Sequence, residues 1–339
     1  VVKGGLGVAA VARRAGVSTA TVSNVINRPH LVSPETTARV LAAIEELDFV
    51  PNRAAATLRQ GANRLVGLVV PDIVNPFYAA IANAVSDAAD REQYMVALCV
   101  SHDDPARELR HFDRLAEQRA VGALVVPLNA DPSRLSQLRI VGARLVLVDR
   151  VVAEDEGCSV AVDDVEGGRI AVEHLVRTTS GPVSLVNGHR SIPQCENRRR
   201  GAFQALARAG LGPDRLVEFE VDEMSVGEGR RIGLRIAETG SPLSIFCTND
   251  QLAVGVIRGL VDRGITPPRD ARVVGYGDLD LAAGGALPLT TVAQPKRRLG
   301  EVALGKLLAE LSEGATHVHA ATILTPSLVV RDSAPAVPG

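Results

Sequence analysis

The chain has 339 residues, 46% of them hydrophobic, and its 37 Lys and Arg against 39 Asp and Glu leave a formal net charge of −2. Such a composition supports about two domains with real cores, and it excludes both a uniformly basic nucleic-acid coat and a disordered acidic tail protein. Aromatic residues make up only 3%, with no Trp, which argues against stacking platforms for single-stranded nucleic acid.

No apolar run approaches the roughly 18–20 residues of a membrane span, and the opening stretch VVKGGLG has no signal-peptide core, so no membrane partner and a cytoplasmic location are expected. Cys99, Cys158, Cys195 and Cys247 lie far apart without a CxxC pair. Neither a disulfide framework nor a zinc site is therefore expected. The charge is unevenly spread. Residues 1–64 carry eight Lys and Arg against four Asp and Glu, a net +4, which leaves −6 on the remainder. A basic head on an acidic body points to a head that meets an anionic polymer.

In the head, Val8, Val11, Ala12 and Ala15 have the spacing of one helical face. Gly16 suits the left-handed position of a tight turn, and Ser18 then caps a second helix over Thr19–Asn27 with Val22, Val25 and Ile26 inward. Ser33-Pro34-Glu35 opens a third helix whose buried face is read as Val40, Leu41, Ile44 and Leu47. Two short helices joined by a Gly-containing turn have helix-turn-helix geometry, with the second helix placed for a major groove. A small helical capping domain would carry the same helices. Against it, Thr19, Thr21, Ser23, Asn24 and Asn27 are short, polar and uncharged, suited to base edges and phosphates.

From Leu65 onward, Val/Leu/Ile-rich runs alternate with amphipathic stretches. Strands are predicted at Leu65–Val70, Tyr94–Val100, Ala123–Val126, Leu145–Val148, Ser159–Val162, Val183–Val186, Leu216–Val221, Ser244–Cys247 and Arg272–Val274, with helices between them. Strict βα alternation implies parallel sheets covered on both faces, and so many strands divide most economically into two α/β subdomains around a cleft. Polar groups at strand ends would ring that cleft: Asp72, Asn75, Phe77 and Tyr78, then Asp149-Arg150, Asp163, Arg198 and Asn249-Asp250. Each alone is more simply a cap or turn residue.

Enzyme motifs are weak. Gly300–Leu307 fits GxxxxGK but puts Leu307 where magnesium needs a hydroxyl, within a helical pattern. Neither GxGxxG after the first strand nor GxSxG is present. His317 and His319 put two imidazoles on one strand face, yet no Cys or acidic partner is close in sequence, so no metal ligand and no cofactor are expected.

The string Val11–Ser23 followed by Val25-Ile26-Asn27, then Val32–Thr36, Ala42–Leu47 and Pro51-Asn52, closely resembles the head of the LacI/GalR transcriptional regulators. The resemblance continues through Gly67–Asp72, Asn75-Pro76-Phe77, Phe246–Asp250, Leu289–Val292 and Leu328–Arg331. It implies a helix-turn-helix head (6–50), a hinge helix (51–60) and a periplasmic-binding-protein-like core. That core would divide into 61–162 with 293–323 and 163–292 with 324–332, followed by a tail at 333–339. By resemblance, Thr19, Ala20 and Asn24 read bases, while Ser18, Thr21, Ser23 and Asn27 cap or meet phosphates. In the hinge, the resemblance makes Asn52 a DNA-binding position, packs Ala55 beside its symmetry mate or the groove floor, lays Arg59 along the minor groove and gives Leu58 as the wedge.

Effector positions would be Asn75, Phe77, Tyr78, Asp149, Asp163, Arg198, Asn249, Asp278 and Gln294. The implied function is an effector-controlled repressor, a homodimer on a pseudo-palindromic double-stranded operator. The alternative is a small-molecule binding protein whose head binds DNA weakly or not at all. The effector would be a sugar, nucleoside or organic acid. Four departures stand out: Gly7 and Ala10 replace the usual Thr cap and Asp of the first helix, Asp222 an aromatic, and Gly277 the Asp that usually follows Tyr276. The Arg198-Arg199-Arg200 run adds positive charge, with Arg198 alone at a ligand position and the other two open to a solvated reading. An anionic metabolite thus stands beside a plain hexose, with no choice made between them.

Overall fold

The computed structural model describes residues 7–49, 64–127, 144–153, 156–178, 181–239 and 243–336. The hinge residues Asn52, Ala55, Leu58 and Arg59 lie outside this set. The chain divides into two units, Val1–Asn63 and Arg64–Gly339.

In the first unit, α1 (Val8–Ala15), α2 (Thr19–Asn27) and α3 (Pro34–Glu46) close around Val11, Ala12, Ala15, Val22, Val25, Val40 and Ala43. Gly16 ends α1 at φ 66°, ψ 39°, and its N–H returns to the α1 carbonyls, which is the turn that sets α2 across α1. Two helix-face assignments are corrected. Leu41 is 54% exposed, and Ala43 takes the core position instead. Val8 likewise faces solvent, because the α1 stripe begins at Val11. Gly7 opens α1 without a side-chain cap.

The second unit holds two six-stranded sheets. The first contains β1 (Leu65–Val70), β2 (Met95–Val100), β3 (Gly122–Val125), β4 (Arg144–Val148), β5 (Cys158–Val162) and β11 (Ala321–Leu324), ordered β11-β5-β4-β3-β1-β2 and parallel throughout. The second contains β6 (Val183–Gly188), β7 (Leu216–Val221), β8 (Leu243–Cys247), β9 (Ala271–Gly277), β10 (Thr290–Ala293) and β12 (Ser327–Val329), ordered β12-β10-β9-β8-β6-β7. Its edge strand β12 runs antiparallel to β10, an exception to the all-parallel expectation. Central strands such as β1, β3, β5 and β8 are almost wholly buried, which explains their unbroken apolar runs.

Helices cover both sheets. In chain order they are α4 (Pro76–Arg91), α5 (Pro105–Glu117), α6 (Asp164–Thr178), α7 (Pro193–Arg208), α8 (Val226–Ile236), α9 (Asp250–Val261), α10 (Asp280–Gly284) and α11 (Lys296–Glu313). The GxxxxGK stretch lies inside α11, with Leu299, Gly300, Ala303, Leu304 and Leu307 buried. No helix among the described residues is long and apolar enough to cross a membrane.

The start of the stretch 333–339, expected as a tail, is instead built into the second sheet's core. Ser333 and Ala334 are fully buried, and Ser333 donates to the Val273 carbonyl and accepts from Thr290 N–H. Proline and alanine there gave no strand pattern, yet a single buried hydroxyl closes the β9–β10 edge.

Two helix pairs over the second sheet touch backbone to backbone. A Cβ built on Gly201 of α7 would lie 2.0 Å from the Val165 carbonyl oxygen of α6, and one on Gly168 would lie 2.0 Å from the Arg198 carbonyl oxygen. In the α8/α9 pair, a Cβ on Gly255 would lie 2.2 Å from the Val226 carbonyl oxygen. Alanine at either interface must push the helices apart. Gly255→Ala is expected to cost about 1–3 kcal/mol of stability, read as a lowered urea midpoint with an unchanged slope; an unchanged midpoint would contradict the close packing.

Candidate functional site

In the head, Ser18 caps α2: its Oγ accepts from Thr21 N–H at 3.1 Å and meets Thr21 Oγ1 at 2.9 Å. Val22 and Val25 hold the inner face of the helix in the core. The outer face therefore presents Ser18, Thr19, Ala20 and Asn24 to solvent, with Thr21 and Ser23 half-buried and Asn27 at the last helical position. This side of α2 is short, polar and uncharged, and Arg13 and Arg14 stand exposed in the last turn of α1.

In the second unit, a cavity of about 430 Å³ opens where the ends of β4 and β5 meet the start of α7. Its polar lining is Asp149, Arg150, Glu156, Asp164, Gln194 and Asn197. Asp149 follows β4 with φ 60°, a left-handed backbone that aspartate tolerates, and its N–H is fixed on the Val160 carbonyl at 2.8 Å. Gln194 Nε2 donates to both the carbonyl (2.8 Å) and Oδ2 (2.9 Å) of Asp149, which joins the first sheet to the layer over the second. Asp149 Oδ1 is buried with no hydrogen-bond partner.

Arg198 lies directly behind this lining. Its Nε donates to Asp164 Oδ1 at 2.8 Å, its Nη1 donates to the Thr248 carbonyl at 2.8 Å, and its guanidinium lies 3.8 Å from the centre of the Tyr276 ring. Tyr276 Oη also donates to Asp164 Oδ1, at 2.7 Å. Burial opposes the Arg198 charge, but Asp164, Tyr276, Cys195 and Asp149 more than offset it and hold the cation firmly. Burial, reinforced by the nearby Asp164 charge, pushes the Asp149 carboxyl up to about 7. Burial and the charge of Asp149 push the Tyr78 phenol up as well.

The positions expected from the sequence divide sharply. Asp149, Arg198 and Tyr78 converge on one electrostatic cluster. Others spend their side chains on the fold: Asn75 Oδ1 caps α4 through Phe77 N–H, Asp163 Oδ1 caps α6 through Glu166 N–H, and Asn249 caps α9 while donating to the Met224 carbonyl. Phe77 is buried in the first sheet's core, and Gln294 is buried just after β10.

Asp278, which follows Gly277, pairs its carboxylate with Arg331 at 2.7 Å. The cationic run Arg198–Arg200 is partly committed. Arg199 pairs with Glu218 and Glu196, and Arg200 donates to Asn197 Oδ1. Arg198 and Arg199 are therefore spent on carboxylates, whereas the exposed Arg200 keeps its charge, bonded only to a neutral amide. Asp164, Gln194 and Asn197 were not singled out from the sequence; Asp164, next to the crossover residue Asp163, could have been suspected from its neighbour alone.

The raised Asp149 carboxyl sets the sign of a pH effect. A carboxyl bound to its proton more tightly in the folded than the unfolded state contributes stability at low pH and loses it as pH rises from about 4 to about 7. Relative to Asp149→Asn, the wild-type chain is expected to lose stability over that window in urea melts; a constant difference between the two would show that Asp149 is not held protonated.

Residues 9–52 match bacterial regulatory proteins of the lacI family, and residues 172–334 match a periplasmic binding protein-like domain. The chain is 31% identical over 324 residues to the HTH-type transcriptional repressor PurR of Photobacterium profundum, covering 95% of this chain and 97% of that protein. It is 30% identical over 327 residues to the HTH-type transcriptional regulator DegA of Bacillus subtilis, covering 95% and 96%. Among solved structures, the lac repressor dimer bound to operator and the anti-inducer ONPF superimposes with a TM-score of 0.86 at 28% identity, over 98% of this chain and 100% of that one. On these grounds the chain belongs to the LacI family of bacterial transcriptional regulators.

Proposed function

We propose that this regulator acts as a homodimeric repressor: its paired heads read a pseudo-palindromic double-stranded operator, and its cleft binds a small neutral effector rich in hydrogen-bond donors. The observation that carries the effector assignment is the acidic polar lining of a cavity large enough for a sugar or nucleoside, with Asp149, Asp164 and Glu156 against the single Arg150 and the Gln194 and Asn197 amides beside them. Neutral hydroxyls and amides can pair with these carboxyl and amide groups. A carboxylate would instead meet Asp149, Asp164 and Glu156, with Arg150 the one basic residue of the lining and Arg198 already paired to Asp164.

On DNA, Asn24 is placed to bond an adenine edge bidentately, with Thr19 and Ala20 beside it. Ser18, Thr21, Ser23 and Asn27 support α2 on the phosphates. Asn52, Ala55, Leu58 and Arg59 are assigned to the minor groove on the strength of the family resemblance, with Leu58 wedging a base step. The effector would work by binding differently to two arrangements of the core, shifting the population that holds the heads on DNA. The similar proteins are transcriptional regulators rather than enzymes.

Mobility shifts with DNA flanking the chain's own gene, at moderate salt, test the reading. A specific complex is expected, and Asn24→Ala should weaken it about 10- to 100-fold while sparing binding to random DNA. Failure to form any specific complex, with or without metabolites, would overturn the regulator reading. A thermal-shift panel tests the effector: sugars or nucleosides should raise the melting temperature, and the rise should vanish in Asp149→Ala. Stabilisation by organic acids alone would overturn the effector class.

A further inference from the structure

On the first sheet, a second polar cluster lies at the end opposite the cavity. Cys158 opens β5, and the parallel register Ala321↔Ser159 lays the approach to β11 alongside it, with Ser159 N–H donating to the Ala320 carbonyl. Residues 317–320 have no regular secondary structure and precede the strand, which begins at Ala321. His317 and His319 therefore flank Cys158 rather than standing on a strand face. His317 Nε2 lies 3.2 Å from Cys158 Sγ, and His319 Nδ1 lies 3.7 Å from it.

Glu310, in the last turn of α11, supplies a fourth group, and one ligand atom from each of the four residues falls within 4.8 Å of every other. Glu310 Oε2 is buried with no hydrogen-bond partner. Cys158 is 1% exposed, and the His317 side chain is 8% exposed.

We propose that Cys158, Glu310, His317 and His319 form a tetrahedral binding site for a borderline-soft divalent ion, Zn²⁺ in the first place. Bond lengths of about 2.3 Å to sulfur and about 2.0–2.1 Å to nitrogen, at tetrahedral angles, put S and N ligands about 3.5 Å apart. The Cys158–His317 and Cys158–His319 separations bracket that value. One thiolate and one carboxylate neutralise the dication, so the buried site carries no net charge and the Glu310 acceptor is satisfied. A plain thiol–imidazole hydrogen bond would leave Glu310 Oε2 without a partner.

Outside the ligand set, Glu313 Oε2 lies 2.7 Å from His317 Nδ1. A carboxylate that accepts from Nδ1–H fixes the tautomer with the Nε2 lone pair toward Cys158, the arrangement that orients metal-bound histidines. The full set of four protein ligands marks a structural site. It would clip the end of α11 and the approach to β11 onto β5, just before the chain crosses from the first sheet at Leu324 to the second at Ser327. When the metal binds, the Cys158 proton is released to solvent and the other ligands bind through lone pairs, so no redox partner is needed.

The experiment uses the full chain, stripped with EDTA and dialysed against Zn²⁺ or Co²⁺. Expected are about one ion per chain, a higher melting temperature with Zn²⁺, and with Co²⁺ a thiolate-to-metal charge-transfer band together with visible bands of tetrahedral intensity. Cys158→Ser should remove the charge-transfer band, and His319→Gln should abolish stoichiometric retention. Glu313→Gln should weaken binding about 10-fold or more. Melting of the stripped variants verifies that they fold.

If a variant does not fold, the wild-type cobalt spectrum decides alone. Tetrahedral bands with thiolate charge transfer support the site, and weak octahedral bands without it overturn it. Failure of the wild-type chain to retain metal, or equal retention by Cys158→Ser and His319→Gln, would also overturn it.

Discussion

The second unit is organised around one buried ion pair. Arg198 and Asp164 are both almost fully buried, and they meet at 2.8 Å beneath the Tyr276 ring. Two buried charges are tolerable only because every strong group is answered: Asp164 by Arg198 and Tyr276, and Arg198 additionally by the Thr248 carbonyl. Breaking such a pair by removing one partner costs about 3–5 kcal/mol. By contrast an exposed pair such as Arg14–Glu46 contributes about 0–1 kcal/mol. The pair draws together α6, α7, β9 and the end of β8. The glycines at 168 and 201 make this possible, since a bulkier α6/α7 contact would hold Arg198 away from Asp164.

The same pair explains the chemistry of the cleft. Asp164 leaves Arg198 with little charge to offer Asp149, so a second buried carboxyl sits beside the first with a net excess of negative charge. That excess, added to burial, raises Asp149 to about 7. A site of this kind rewards a ligand that brings donors. An arginine-rich helix start in the sequence kept an anionic ligand open, because sequence counts charges without showing which are already spent. Arg199 on Glu218 is a charge of that spent kind.

What was legible in the sequence follows from the physics of each element. Central strands buried on both faces read as apolar runs, and the part-exposed edge strands β2 and β7 kept enough Val, Leu and Phe to be read as well, whereas β10 to β12 were not visible: β10 is four residues long and threonine-rich, β11 is only half-buried, and β12 is a three-residue edge. Helix caps were legible as such, and Asn75, Asp163 and Asn249 each cap a helix. Leu41 misled because helical periodicity left two candidates for the core, and the three-helix packing admitted the smaller Ala43. The polar outer face of α2 was the clearest signal, since Val22 and Val25 fix which side faces out.

The Cys158 cluster shows the limit of reading by proximity along the chain. Cys158 lies 159 residues away from His317, and only the parallel register of β11 on β5 brings the thiol there. The acidic partners were closer than the sequence reading allowed, since Glu313 stands four residues before His317. They were hidden because they belong to α11 while the histidines lie beyond its end. That helix supplies Glu310 and Glu313 at a spacing of three, which one face can direct at the same target. β5 thereby becomes the element common to both polar clusters. Its first residue is the thiol, and the two residues after its last are Asp163, which caps α6, and Asp164, which anchors Arg198. Five residues of fully buried strand, roughly 17 Å long, separate the two ends. Held on both sides by β4 and β11, the strand sets the distance between the Cys158 cluster and the turn that delivers Asp164.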